Sequence, residues 1–223
     1  MKGYAKPLHE FIEGHKIQFV IPVYQRNYDW LIDNCDQLFS DLVKLSRSNR
    51  CSHFFGSIVT SSADSSYNRL VIDGQQRLTT ISLLLLAGIK AVKAGAIEIS
   101  EESKIDEAYE VFLKAKFCNS ERKIKLVPID NDRIAYDKIF NEEDSFDEDS
   151  KVTRNYRHFY NLLTRKPQAL SFDQLLDAIE RLQIISIELD SDDDAQLIFE
   201  SLNSTGLALT EADKIRNYLL MSL

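Results

Sequence analysis

The chain has 223 residues, of which 44% are hydrophobic and 28% are charged, a composition typical of a folded globular protein and not of a disordered or fibrous one. This length accommodates one large domain, or a core with a smaller second lobe. The longest apolar run, residues 81–89, is about half of the roughly 20 residues that a membrane span needs, so we expect no membrane contact. Three scattered cysteines without a C-x-x-C pair indicate neither a disulfide framework nor a zinc cluster, and the expected compartment is the cytoplasm.

The net charge of −8 is unevenly distributed along the chain. Residues 1–80 hold nine basic and eight acidic side chains, whereas residues 81–223 hold 18 and 27. Proteins that grip duplex DNA usually present a basic face, because counterion release supplies much of their affinity. The acidic C-terminal two-thirds would repel a polyanion, so we expect phosphate chemistry in the N-terminal third, with few and well-placed arginines.

The residue patterns predict mixed α and β structure with short, dispersed strands. In chain order, helices are predicted at residues 6–14, 31–45, 75–94, 100–116, 130–140, 151–164, 172–182, 193–203 and 210–222. Strands are predicted at residues 17–21, 54–60, 69–73, 123–127 and 183–189, the second and third forming a hairpin.

An acidic segment is the predicted boundary between two lobes. Residues 141–150 contain six acidic side chains and no basic one, which is typical of a solvated loop. We therefore expect a core at residues 1–140 and a mainly helical lobe with one strand at residues 151–223. The last predicted amphipathic helix reaches the end of the sequence, so we expect a fragment of a longer protein.

The most informative segment is V-I-D-G-Q-Q-R-L-T-T, residues 71–80. A predicted strand ends at Asp73, turns at Gly74 and begins a long helix with Arg77 in its first turn. Such a junction presents free backbone N–H groups and the positive end of the helix dipole at one point, where Arg77 would add a phosphate-binding fork. Asp73 could hold a magnesium ion or orient a water. The alternative is that Asp73 only caps the helix and Arg77 is a surface residue. The chain contains neither a P-loop nor a dinucleotide fingerprint.

Two further segments contain residues suited to a nucleotide. Residues 19–30 combine tyrosines and Arg26 around a proline-stopped strand, a set suited to stacking on a base and pairing with phosphate. The structural alternative is a buried Trp30 that anchors the following helix. Gly56 lies inside a predicted strand, which marks a bulge or a close approach to the backbone. Ser57 follows it in the strand expected to pair with residues 69–73.

Together, the motifs F-x-I-P-x-Y-Q-R-x-Y-x-W, F-G-S-I and V-I-D-G-Q-Q-R-L-T-T and the pattern over residues 195–217 resemble the N-terminal domain of the GmrSD-type modification-dependent restriction enzymes. The resemblance implies an α+β fold: a ParB/sulfiredoxin-like small mixed sheet with flanking helices, plus a helical C-terminal lobe. That superfamily places a G-x-x-R turn, here Gly74 and Arg77, against nucleotide phosphates. Sulfiredoxin-type enzymes have a nucleophilic cysteine after the glycine, where this chain has Gln75, so cysteine sulfinate repair is not expected.

The resemblance further implies hydrolysis of a nucleoside triphosphate, coupled to cleavage of modified phage DNA by a separate HNH-type nuclease domain or subunit. The four histidines of this chain are scattered without metal-ligand spacing, so we expect no nuclease activity here. The predicted catalytic residues are Asp73, Gln75, Gln76 and Arg77, with Mg²⁺ on Asp73 and both glutamines orienting the attacking water. The predicted nucleotide-binding residues are Tyr24, Gln25, Arg26, Gly56, Ser57, Gly74 and Asn203.

Two alternatives to an enzyme stay open at this stage. One is a non-hydrolytic sensor of modified DNA in which Tyr24, Arg26 and Tyr28 line a pocket. The other is a folded scaffold whose activity requires the missing partner. A second copy of the chain, in a homo-oligomer, is among the partners considered. The phosphate-site hypothesis also makes a geometric prediction. The strands ending at Pro22 and Asp73 should lie in one sheet with their C-terminal ends at the same edge.

Overall fold

The computed structural model describes residues 1–62, 67–118, 123–190, 192–193 and 198. Its strands are β1 (Lys2–Pro7), β2 (Gln18–Val20), β3 (His53–Ser62), β4 (Asn68–Asp73), β5 (Leu126–Val127) and β6 (Leu182–Leu189). Its helices are α1 (Leu8–Ile12), α2 (Ile32–Arg47), α3 (Gln75–Lys93), α4 (Ser103–Ala108), α5 (Asp130–Phe140), α6 (Lys151–Thr164) and α7 (Phe172–Glu180), with a π-helical turn at Tyr109–Leu113. Over these residues, none of the helices combines the length and hydropathy that crossing a membrane requires.

The strands form one mixed sheet in the order β1-β6-β3-β4-β2-β5. β3 and β4 pair antiparallel, which confirms the predicted hairpin. β2 pairs parallel to both β4 and β5, so the C-terminal ends of β2 and β4 lie at the same edge, as the phosphate-site hypothesis requires. This mixed sheet with flanking helices confirms the α+β class and is consistent with a ParB/sulfiredoxin-like architecture.

Helix α3 is the centre of the core. Fifteen of its 19 residues are buried, so it is apolar nearly all round, as expected of a helix enclosed by other elements. It packs most extensively against α6, and Gly88 allows the rings and methyls of Phe172 and Leu175 to approach its backbone closely. The helix ends at Lys93, and Gly95 follows in a left-handed conformation, with the amide of Ala96 donating to the carbonyl of Ala91 in a Schellman arrangement.

Strand β6 joins the second predicted lobe to the first. It lies between β1 and β3 in the sheet, pairing antiparallel with β1 and parallel with β3. Residues 151–189 therefore share the sheet and the core of residues 1–140. The predicted helices at residues 193–203 and 210–222 lie outside the described residues.

Several predicted elements are shorter than expected. The helix predicted at residues 6–14 is limited to α1, because Lys6 and Pro7 pair with β6 as the end of β1, and the strand predicted at residues 17–21 is limited to β2. The helix predicted from Ser100 begins at Ser103 and continues only as the π-helical turn. Ser100 does not cap it, because its backbone N–H and hydroxyl both donate to the carboxylate of Asp173. The strand predicted at residues 123–127 is limited to β5, with Ile124 forming one isolated bridge to Lys114.

Candidate functional site

The junction between β4 and α3 is built on a glycine that no other residue can replace without strain. Gly74 has a φ of +98°, a left-handed conformation, and a Cβ atom there would lie 3.0 Å from Ile58 Cγ1 and 3.2 Å from Ile58 Cα. Gly74 occupies the N-cap position and offers no capping side chain. The carboxylate of Asp73 faces Arg77 instead, with 3.8 Å between Oδ2 and Nη1. The amino end of this buried helix therefore keeps the polarity that attracts an anion.

Arg77 is held in place by the neighbouring strand β3. Its Nη1 donates a hydrogen bond of 2.7 Å to the carbonyl oxygen of Ser57. Gly56 has a φ of +126° at a register shift between β3 and β6, and a Cβ atom on it would come within 2.6 Å of Arg77 Nε. The F-G-S-I and D-G-Q-Q-R motifs are thus two halves of one structure, in which Gly56 and Ser57 fix the guanidinium group. With 29% of its side chain exposed, Arg77 is not a free surface residue.

The segment between β2 and α2, residues 21–31, is attached to this junction by glutamines. Gln25 Nε2 donates to the carbonyl oxygen of Ile72 at 2.7 Å. Gln75 Nε2 donates to the carbonyl oxygen of Arg26 at 3.0 Å and to Gln25 Oε1 at 3.2 Å. These hydrogen bonds bring the backbone of Arg26 to the start of α3.

Gln76 holds the next residues of the same segment. Its Oε1 accepts from the backbone N–H groups of Asp29 (2.8 Å) and Trp30 (3.2 Å), while its Nε2 donates to the carbonyl oxygen of Asn27 at 3.2 Å. Gln25, Gln75 and Gln76 are all buried. These contacts position the 21–31 segment, and the role of Gln75 and Gln76 in orienting a water stays a prediction.

Tyr28 belongs to the core and not to a binding surface. It is 4% exposed, and its hydroxyl lies 2.7 Å from Thr80 Oγ1 and accepts from Asn155 Nδ2 at 2.9 Å. Asn155 also donates to the carbonyl oxygen of Trp30. Burial raises the pKa of Tyr28 well above its ordinary value. Its predicted place in a DNA-sensing pocket is therefore wrong, whereas Trp30, partly buried against the core just before α2, agrees with the structural alternative.

Asn155 is a positioning residue that the sequence reasoning missed. It lies on the buried side of α6, between Val152 and Tyr156. In the sequence, Asn155 can be noticed as a polar residue on the mostly apolar face of an amphipathic helix. This pattern does not predict which groups its side chain bonds to.

The remaining predicted nucleotide-binding residues in the described part of the chain are Tyr24 and Arg26. Tyr24 is half-buried against Val59, Ile72 and Leu189, and burial raises the pKa of its phenol to about 12. Arg26 Nη1 lies 3.8 Å from Asp29 Oδ2, and that carboxylate also pairs with Lys151. Arg26 and Arg77 thus face different carboxylates, and their convergence on a single phosphate stays a prediction. Asn203 lies outside the described residues.

Metal ligands are sparse in the described part of the chain. It contains no group of three histidine, cysteine, aspartate or glutamate side chains that could hold a metal ion. Asp73 supplies one carboxylate at the junction. A single carboxylate fits a magnesium ion that arrives with the phosphates of a nucleotide, not one held by the protein alone.

The fold and the site together define an α+β domain with a glycine–arginine turn at the amino end of its central helix. Residues 8–220 match the family model of the GmrSD restriction endonuclease, N-terminal domain. The chain therefore belongs to this family of restriction-system domains, which confirms the resemblance carried by the sequence motifs. No curated protein matches the chain.

Proposed function

We propose that the domain binds a nucleoside triphosphate at the junction of β4 and α3 and hydrolyses it as a module of a modification-dependent restriction system. The observation that carries this proposal is the fixed position of Arg77 beside the left-handed Gly74, at the amino end of a buried helix. Backbone N–H groups, a helix dipole and a guanidinium group at one point are the elements that bind phosphate in proteins.

Electrostatics support the same assignment. The hydrogen bond to Ser57 occupies only Nη1 of Arg77, and a guanidinium group carries five N–H donors. The 3.8 Å separation from Asp73 is longer than a strong charged hydrogen bond, at about 2.7–2.9 Å. Arg77 therefore keeps donors for a phosphate, and Arg26, with 22% of its side chain exposed, can add a second positive charge.

In this proposal, Asp73 is the residue that would hold magnesium together with the nucleotide. When bound, the ion would neutralise charge on the phosphates. The three glutamines keep the 21–31 segment against α3, so that Arg26 stays near the phosphates. Tyr24 and Asn203 keep their predicted roles in nucleotide binding. The partners we expect are modified DNA and an HNH-type nuclease domain or subunit, and hydrolysis of the nucleotide would be coupled to cleavage of that DNA.

Steady-state release of phosphate from each nucleoside triphosphate, with magnesium, tests this function. Loss of an arginine that stabilises phosphoryl transfer should lower the rate on the order of 10³-fold, so we expect this for Arg77→Ala. Arg133→Ala is the matched control, since Arg133 pairs with an exposed aspartate at the start of α5. Hydrolysis by Arg77→Ala at the rate of the control would reject the assignment.

A further inference from the structure

The fold gathers six basic side chains from three distant segments of the chain into one surface. Arg47, in the last turn of α2, donates at 3.3 Å to the carbonyl oxygen of Ala169, which lies in the turn between α6 and α7 (residues 165–171). Arg181, directly after α7, donates at 3.0 Å to the carbonyl oxygen of Arg50. We call this region the basic surface, and its members are Lys44, Arg47, Arg50, Arg165, Lys166 and Arg181.

The basic surface is locally positive on a chain whose net charge is −8. Two carboxylates pair with its members, Asp41 with Lys44 and Asp177 with Arg181. The other four members make no ion pair with any described residue. Half of the six belong to residues 81–223, the part in which acidic side chains predominate. The excess of acid in the sequence therefore does not describe this surface, which the fold separates from it.

Arginines without an ion pair are concentrated in the basic surface. Six of the ten described arginines pair with a carboxylate. Three of the other four, Arg47, Arg50 and Arg165, lie in this surface, and the fourth is Arg154 in the first turn of α6.

Stabilisation of helix ends does not account for all of these charges. Cations near the carboxyl end of a helix interact favourably with its dipole, which explains Arg47 and Arg165. Arg50 and Lys166, however, lie beyond the ends of α2 and α6 and are exposed. Neither of these two side chains has a hydrogen-bond or ion-pair partner in the described part of the chain. They are available to a ligand.

A cavity of about 360 Å³ opens within the basic surface. Lys44, Arg50 and His53 line it together with Asp41, whose carboxylate lies 3.4 Å from Lys44 Nζ and 3.9 Å from His53 Nε2. The side chain of Lys44 is 70% exposed and that of Asp41 only 22%, so the ammonium group is the more accessible of the two. An ammonium and a guanidinium group beside one cavity suit a phosphate group.

We propose that the basic surface binds the sugar–phosphate backbone of duplex DNA, with one phosphate group in the cavity beside Arg50. Lysine and arginine side chains on phosphates supply most of the sequence-independent affinity of proteins for DNA. DNA is the polyanion we assign because the chain belongs to a family of restriction-endonuclease domains. Contacts to phosphates position a protein without reading bases, so this surface would hold DNA whether or not it is modified. The proposal rests on the DNA partner of the proposed function and not on nucleotide hydrolysis.

Fluorescence anisotropy with two unmodified duplexes of unrelated sequence, over a series of salt concentrations, tests the proposal on the full chain. The double variant Arg50→Gln, Lys166→Gln removes two charges without a protein partner, so it should fold as the wild type does. Loss of two phosphate contacts should lower the slope of log affinity against log salt by about 2. At low salt both duplexes should bind the double variant at least about tenfold more weakly. Arg154→Gln is the matched control, since it removes an exposed arginine that also makes no ion pair, and it should bind as the wild type does.

Four results would overturn the proposal. They are the absence of saturable binding of either duplex at low salt, equal salt slopes for the wild type and the double variant, equal weakening by Arg154→Gln, and weakening by the double variant on only one of the two sequences. Tighter binding of vesicles of anionic phospholipid than of DNA, lost in the double variant, would also overturn it, because it would assign the surface to a membrane.

Titration of a triphosphate analogue into the double variant separates this proposal from the nucleotide site. The affinity for the analogue should equal that of the wild type, because Arg50 and Lys166 lie outside the junction of β4 and α3. Equal losses of analogue and DNA binding would overturn the proposal, because the basic surface would then belong to the nucleotide site.

Discussion

The guanidinium group of Arg77 lies directly over Gly56. A Cβ atom on Gly56 would sit 2.6 Å from Arg77 Nε and 2.9 Å from its Cζ, closer than any real contact. Since Arg77 also donates to the carbonyl oxygen of Ser57, the backbone of β3 determines where this arginine points. The proposed phosphate site therefore depends on two motifs that lie about 20 residues apart in the sequence and that the pairing of β3 with β4 brings together.

Gly56→Ala should displace Arg77 and destabilise the fold. The backbone conformation at this position, with φ at +126°, costs a residue with a Cβ atom about 1–3 kcal/mol. We expect a lower midpoint of thermal unfolding and weaker nucleotide binding. Gly3→Ala is the matched control, because a Cβ atom there meets only an ordinary contact at 3.8 Å. Equal unfolding midpoints for the two variants would contradict this role of Gly56.

Gln76→Leu should loosen the 21–31 segment while leaving α3 intact. The substitution removes three hydrogen bonds to the backbone of Asn27, Asp29 and Trp30. Leaving these partly buried backbone groups without partners should cost up to about 1–3 kcal/mol, the value for buried groups. Denaturant unfolding should show this loss, and the exposed Gln37→Leu on α2 should change stability little. If Gln76→Leu is as stable as Gln37→Leu, the glutamine does not hold the segment.

Tyr28 and Asn155 should be energetically coupled. Asn155 donates to the hydroxyl of Tyr28 and to the carbonyl oxygen of Trp30, so it connects α6 to the segment that includes Arg26. A double-mutant cycle with Tyr28→Phe and Asn155→Ala should give an interaction energy of at least about 0.5 kcal/mol. Additive effects of the two substitutions on the free energy of unfolding would mean that α6 does not act through this contact.

The element types were predictable from the sequence, because hydrophobic period and turn residues determine them locally. Helix α3 and its end just before Gly95 follow from a long apolar run and a glycine. Strand β1 was missed because most of its side chains are exposed, so it shows no alternation, and it is a strand only through its pairing with β6. The position of β6 between β1 and β3 could not be predicted from any local pattern, because this pairing joins segments that are distant in the sequence.

The site was predictable to the level of motifs, but the partners of each side chain were not. Gly74 and Arg77 could be assigned to a strand–turn–helix junction from spacing alone. The contact of Arg77 with Gly56 depends on the pairing of β3 with β4, and the bonds of Gln75 and Gln76 depend on the path of the 21–31 segment. The positions of Gln75 and Gln76 in the motif predict a catalytic role, but the motif does not show that their amides form hydrogen bonds with the 21–31 segment.

Lys125 should make stability depend on pH. Its Nζ is buried and donates to the carbonyl oxygens of Ile12, Gly14 and Val111. Burial lowers its pKa to about 8, whereas the unfolded chain holds this proton up to about pH 10.4. Between these values the unfolded state binds more protons, so this residue makes the free energy of unfolding rise with pH by at most about 1.4 kcal/mol per pH unit.

The measurement is the difference between the wild type and Lys125→Met across pH 7–9.5 by denaturant unfolding. The difference is needed because burial raises the pKa of Cys35 to about 12, so its folded state keeps a proton that the unfolded state loses, which acts in the opposite direction. The stability advantage of the wild type over Lys125→Met should increase with pH across this window. A difference that stays constant would contradict the lowered pKa.

The most direct test of the phosphate site is calorimetric titration of a non-hydrolysable triphosphate analogue with magnesium into the wild type, Arg77→Lys and Arg133→Ala. Lysine keeps the charge but loses the forked donors, so Arg77→Lys should bind at least about tenfold more weakly. The wild type and Arg133→Ala should bind equally. Equal affinity in all three proteins, or no saturable binding by the wild type, would contradict a nucleotide site at the junction of β4 and α3.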